Sequence, residues 1–210
     1  MAEQIEEYLL GLAFNLAHKL FPSGGTCLEF GVGWGSTYTW QMKQILEKYH
    51  NSKLIGFDSF EGLPKETEGV WFPARHAEGC LAFSKDVVLD GFDKLNVSLD
   101  DPRFKLVDGW FCDTLTDELR KTIENVIFVN IDIDIHRSAI GVLDFITPLL
   151  QKDAIIYWDD WKDPQDKYEG KWGEHLAYEE WSEKNPKIEM ETLVYNHYNQ
   201  RYMKVIKGTI

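Results

Sequence analysis

Cys27–Ser36, CLEFGVGWGS, is the stretch that decides the fold. An apolar strand end carries one acid, Glu29. Glycines then fall at every second position, Gly31, Gly33 and Gly35, and a helical pattern starts at Ser36. Each glycine removes a Cβ that would block a tight turn or the close approach of a ligand to the backbone. A pyrophosphate-binding turn would avoid a carboxylate there, because it holds an anion on helix-terminal N–H groups. An acid beside the glycines instead suits a ligand with a cationic end, such as the amino group of S-adenosylmethionine (SAM).

Working outward from this turn, strand one spans residues 26–30 and the following helix runs from Ser36 to about His50, capped by Ser36 or Thr37. Strand two, Lys53 to Phe57, ends on Asp58, where an acid accepts hydrogen bonds from ribose hydroxyls. Ser59 follows it. Strand three, Phe104 to Val107, leads into Asp108-Gly109-Trp110, an acid for an adenine amino group and an aromatic ring to stack on the base. Asp113 or Thr114 then caps a helix through Ile123.

Strand four, VIFVNIDIDIH, alternates with period two. That places Asn130, Asp132, Asp134 and His136 on one face and Ile131, Ile133 and Ile135 on the other. Strand five, Ala154 to Trp158, ends on Asp159-Asp160. Helices are read at Ser138–Leu150 and Gly173–Lys184. Two last strands, around 188–194 and 200–206, form an antiparallel pair. Five βα units and a terminal hairpin give a doubly wound, Rossmann-like α/β sheet of seven strands with one reversed edge strand.

In open α/β sheets, ligands bind beyond the carboxyl ends of the strands, and all of these groups gather there. Strands one to three supply a nucleoside site. Asp132, Asp159 and Asp160 supply an all-oxygen set for Mg²⁺ or another hard divalent ion. Asp134 is an alternative ligand, or it orients His136 or Arg137. His136 is a candidate general base.

Two further regions flank this core. Residues 1–22 form an amphipathic helix, with Ile5, Leu9, Leu12, Leu16 and Leu20 at helical spacing and Pro22 ending it. Residues 59–103 are too long for a plain connector and read as a lid or substrate segment, with Trp71, Phe72, Arg75 and His76 as candidate contacts and a helix from about Ser84 to Leu95. No second domain boundary is visible in 1–210. The formal net charge of −13 argues against nucleic acid and against an anionic membrane surface. The three cysteines, Cys27, Cys80 and Cys112, are widely spaced, as in a reducing, cytoplasmic setting. The N-terminus lacks the basic start of a signal peptide, and no apolar run is long enough to span a bilayer.

The motifs LEFGVGWGST, GFDSFEGLP, GWFCDTL, the IDIDI strand end and WDDW resemble the macrocin O-methyltransferase family over about residues 26–181. The resemblance implies a class I methyltransferase fold and a SAM-dependent, Mg²⁺-dependent O-methyltransferase acting on a hydroxyl of a sugar or other natural-product intermediate. It implies that Asp132, Asp159 and Asp160 match the metal ligands. It also implies that Glu29, Gly31, Gly33, Asp58 and Asp108 match cofactor-site positions. His136 stands where the family has a tyrosine. The expectation is therefore an enzyme with SAM and Mg²⁺ as cofactors and a small-molecule acceptor as partner. Asp132 and His136 are its catalytic candidates. The N-terminal helix and aromatic lid would suit a homodimer. Two other readings keep the nucleoside site: a hydroxylase-like tailoring enzyme, and a non-catalytic nucleoside-binding subunit.

Overall fold

The computed structural model describes residues 2–66, 77–161, 172–196 and 200–209, with side chains from Leu9 onward. Seven strands form one sheet: β1 (Thr26–Phe30), β2 (Lys53–Asp58), β3 (Phe104–Asp108), β4 (Val126–Ile131), β5 (Ile155–Trp158), β6 (Glu189–Tyr195) and β7 (Arg201–Lys207). Their spatial order is β3-β2-β1-β4-β5-β7-β6. The first five are parallel, and the chain reverses sheet direction at β1, where β2 lies on one side and β4 on the other. Such a switch point opens a crevice above the strand ends.

The terminal hairpin differs in detail from the sequence expectation. The reversed strand is β7, but it lies inside the sheet, antiparallel to both β5 and β6, and β6 forms the edge. β7 carries buried Tyr202, Met203 and Val205, whereas β6 has no buried residue, so the more apolar strand takes the inner place.

Alternation along the strands feeds two apolar layers. Leu28, Phe30, Ile156 and Trp158 face one layer with α6 (His136–Ile146) and α7 (Gly173–Lys184). Cys27, Phe128, Ile155 and Tyr157 face the other, with α1 (Ala2–Leu20), α2 (Ser36–Glu47) and α3 (Lys85–Lys94). On α1 the buried stripe is Leu9, Leu10, Ala13, Phe14 and Ala17. Leu12 and Leu20, expected inside, are exposed, because the aromatic Phe14 seats against Phe128 and Trp40 and sets the rotation of the helix.

Local chemistry shifts three other elements. α2 starts after Gly35, which has a left-handed backbone, and has no side-chain cap; Thr37 turns inward instead. The helix expected through Ile123 is two single turns, α4 (Phe111–Thr114) and α5 (Asp117–Arg120), the second capped by Thr116. β4 ends at Ile131, so the alternation read through His136 stops early. Asp134 adopts φ 60°, and His136 opens α6. α3 falls where the sequence placed a helix, and Ser84 caps it by accepting from Asp86 N–H. No described helix is long and apolar enough to cross a membrane.

Candidate active site

The crevice at the switch point is a cavity of about 1090 Å³, just above the usual range for small-molecule sites. Its floor and walls come from the ends of β1, β2, β4 and β5, from α2 and α6, and from the two limbs of the 59–103 segment. Those limbs are tied by Leu63 N–H to the Cys80 carbonyl and Gly79 N–H to the Leu63 carbonyl, at 2.8 and 2.9 Å. They present Leu63, Pro64, Leu81 and Phe83 to the cavity. Trp71, Phe72, Arg75 and His76 lie outside the described residues.

The glycines serve different ends. Gly31 has φ 84°, and a Cβ there would lie 1.7 Å from the Asp132 carbonyl oxygen. Its bareness lets the β1 turn pass under the end of β4. Gly33 has φ 54°, and the nearest atom to its would-be Cβ is a Phe83 ring carbon at 3.7 Å. Gly33 therefore borders open cavity. Gly31, Gly33 and Ser36 line it, and Gly35 does not.

Asp58 lines the cavity with its carboxylate fixed by two backbone donors, Gly33 N–H at 2.8 Å and Phe60 N–H at 2.7 Å. Ser59 and Trp110 also line it. Asp108 and Gly109 do not; Asp108 turns to Lys85 at 3.0 Å. Glu29, expected to meet a cationic ligand, is fully buried beneath α2 and off the cavity wall. Thr37 Oγ1 donates to it at 2.5 Å, and Gln41 Nε2 donates to its other oxygen. Burial pushes its carboxyl up to about 8, with the Asp58 charge adding to the rise and the Thr37, Asn130 and Gln41 hydrogen bonds opposing it.

Asn130, the β4 residue beside Glu29, lines the cavity in its place. It is 1% exposed, and its Oδ1 has no hydrogen-bond partner. A buried orphan acceptor is costly, and an ammonium group in the cavity would satisfy it. A single amide in an otherwise apolar strand was the available signal.

At the other end of the cavity, Asp132, Asp159 and Asp160 can bring one carboxylate oxygen each within 4.8 Å of one another. β5 ends at Trp158, so Asp159 and Asp160 lie beyond the strand alternation that would send adjacent side chains to opposite faces. Asp132 and Asp159 line the cavity, and so does Asp134. The Asp132 carboxyl is held well above the ordinary carboxylate range by burial, then by the charges of Asp159 and Asp160. Tyr157 OH and Gln200 Nε2 donate to Asp159 Oδ1 at 2.9 and 3.1 Å. Three acids this close repel unless a cation joins them, and an all-carboxylate set suits a hard divalent ion.

His136 departs from its expected role. It is 9% exposed, absent from the cavity wall, and its Nε2 lies 3.1 Å from Glu180 on α7. The early end of β4 turns it onto the helix layer. Sequence reasoning passed over Glu174, a fully buried acid on α7 whose carboxylate accepts from the backbone of Ile133 and Asp160. Burial pushes it up to about 8, with the Asp159 and Asp134 charges adding to the rise and the Ile133 and Asp160 hydrogen bonds opposing it.

The macrocin O-methyltransferase model matches residues 22–170. The chain belongs to the macrocin O-methyltransferase family. It is accordingly a SAM-dependent O-methyltransferase. Among solved structures it is similar to the O-methyltransferase NovP, at 21% identity and TM-score 0.75 over 94% of this chain and 79% of that one. CalS11, a calicheamicin methyltransferase, is 20% identical with TM-score 0.75, covering 97% of this chain and 80% of its own. An O-methyltransferase from Bacillus cereus in complex with SAH is 15% identical with TM-score 0.58, over 94% of this chain and 81% of that one. These likenesses establish the class I methyltransferase fold. No curated protein matches the sequence.

Proposed function

We propose that this protein methylates a hydroxyl of a small natural-product intermediate, sugar or otherwise, with a hard divalent ion held by Asp132, Asp159 and Asp160. One observation carries the reading: a single cavity runs from the glycine turn and Asp58 to Asp132 and Asp159. SAM would lie along the first half, its ribose at Asp58 and its ammonium group at the Asn130 Oδ1. Trp110 offers a face for the adenine. The ion supplies Lewis acidity, lowering the pKa of an acceptor hydroxyl.

The chain's own residues then provide alignment and charge. Methyl transfer would join the acceptor oxygen to the SAM methyl carbon as the C–S bond breaks, with S-adenosylhomocysteine as the leaving group. The hydroxyl proton needs an acceptor on the cavity wall. Among the described residues the carboxylates lining that end are Asp132, Asp134 and Asp159. With two of them assigned to the ion, Asp134 takes the proton, and His136 braces α6 against α7. The apolar limbs around Leu81 and Phe83 leave room for an acceptor with an apolar body.

Calorimetry with SAM and S-adenosylhomocysteine, with and without Mg²⁺, on wild type and Asp160→Ala tests the reading. Both nucleosides should bind wild type, and the variant should lose the ion while keeping the nucleosides. Absence of nucleoside binding sinks the methyltransferase site as drawn. Unchanged Mg²⁺ affinity in Asp160→Ala removes that residue from the ligand set. Product mass separates the hydroxylase-like reading: methyl transfer adds a CH₂, hydroxylation an oxygen.

A further inference from the structure

The three acids of the proposed ion site come from two separate strand ends, and the last ladder bonds there are Asp132 N–H to the Phe30 carbonyl at 3.0 Å and Asp159 N–H to the Ile131 carbonyl at 2.9 Å, so the next donors, Ile133 and Asp160, lie past the sheet. β4 stops at Ile131 and β5 at Trp158, so Asp132, Asp159 and Asp160 all lie beyond the last strand residue. The first turn of α7 bridges these two ends through three consecutive residues.

Gly173 has φ 50°, and a Cβ there would lie 2.2 Å from the Asp134 carbonyl oxygen, so the helix start rests directly on the chain after Asp132. Glu174 Oε1 accepts from Ile133 N–H at 3.0 Å, and its Oε2 accepts from Asp160 N–H at 3.2 Å. His175 stacks on Trp161, with ring centroids 4.4 Å apart. Glu174 is fully buried, and both of its oxygens face backbone donors. It is not one of the residues whose carboxylate oxygens gather in the Asp132–Asp159–Asp160 group.

We propose that Glu174 is a positioning residue of the ion site, a carboxylate strap that sets the spacing of Asp132 and Asp160 by holding the N–H beside one and the N–H of the other. This rests on the metal reading above. Burying a fourth carboxylate beside three others is electrostatically costly. The two backbone bonds, and the cation that the correctly spaced acids bind, offset that cost. Residues that orient metal ligands without touching the metal typically change affinity about 10–100-fold when altered.

The strap has geometric requirements that a simple charge contribution lacks. Glu174→Gln keeps the size but replaces one acceptor oxygen with an NH₂ group that cannot accept from N–H. Glu174→Asp keeps the charge but shortens the reach by one methylene. Both variants should weaken Mn²⁺ binding, read by the free-ion electron paramagnetic resonance signal, by about tenfold. S-adenosylhomocysteine affinity, read by calorimetry without metal, should stay within about twofold, since its site lies at the other end of the cavity. That retained affinity also shows that the variants are folded.

Full Mn²⁺ affinity in Glu174→Asp overturns the strap in favour of plain charge. Full affinity in Glu174→Gln overturns any role for the residue at the ion site. Equal loss of Mn²⁺ and S-adenosylhomocysteine binding overturns it in favour of a general structural role. Wild-type protein that binds S-adenosylhomocysteine but no Mn²⁺ sinks the metal reading, and the strap with it.

Discussion

Two glycines of the first turn look equivalent in sequence and are opposite in consequence. Gly31→Ala meets both a positive φ and the Asp132 carbonyl. The backbone conformation alone costs about 1–3 kcal/mol, and the overlap adds to it, so the variant should lose stability in a urea titration. Gly33→Ala shares the positive φ but meets open space, so its stability loss should be the backbone cost alone, about 1–2 kcal/mol, while S-adenosylhomocysteine affinity falls more steeply. Calorimetry beside the urea titration separates the two. Asp134 and His136 divide in the same way. Asp134→Asn should lower kcat by about 100-fold or more, whereas His136→Ala, off the cavity wall, should keep kcat within a few-fold and lose stability instead. Glu29 carries a pH signature. Its carboxyl, raised to about 8, is above its value in the unfolded chain. The folded state therefore holds a proton that the unfolded state releases, and this contribution is complete below about pH 4.5. Stability is lost as pH rises toward 8, at up to about 1.4 kcal/mol per pH unit. Denaturation at several pH values should show a shallower decline for Glu29→Gln than for wild type.

At the scale of elements, two helices owe their orientation to one or two side chains. α1 was readable as an amphipathic helix, but its leucine spacing pointed to a stripe that includes exposed Leu12 and Leu20. Phe14 is the anchor, packed edge-on against Phe128 and Trp40. Phe14→Ala should cost about 3–5 kcal/mol and Leu12→Ala less than about 0.5 kcal/mol, measured as midpoint shifts in urea. α7 was read from the sequence at about Gly173 to Lys184, yet nothing in its pattern marked Glu174 as different from the other acids of GEHLAYEEW. What separates it is the approach of α7 to the β4 and β5 ends, contacts with residues 41 and 14 positions away in the chain.

Over the whole molecule, part of the net charge of −13 gathers where the strands end, in Asp132, Asp159 and Asp160, and a cation at the proposed ion site would relieve it there. Divalent ions should raise the midpoint of thermal unfolding in proportion to the logarithm of their concentration above Kd, and EDTA should reverse the shift. The succession of five βα units and a terminal hairpin, the glycine turn, the acid ending β2 and the paired acids after β5 were legible in the sequence, because each depends on local periodicity or on a residue type that only a strand-end site tolerates. The reach of β4 was not. Its alternation persists through His136, and only the left-handed turn at Asp134 and the packing of α6 on α7 cut it short, moving His136 off the cavity and leaving Asp134 on it. Nor could local pattern show that Glu29 lies under α2 while Asn130 faces the ligand space, or which strand of the last hairpin lies inside. By itself the sequence determined the succession of elements and the chemistry gathered at their ends, since periodicity and turn residues act over a few positions. The tertiary structure decided which of those groups share one cavity and which hold it together, since burial and hydrogen bonding are settled between segments distant along the chain.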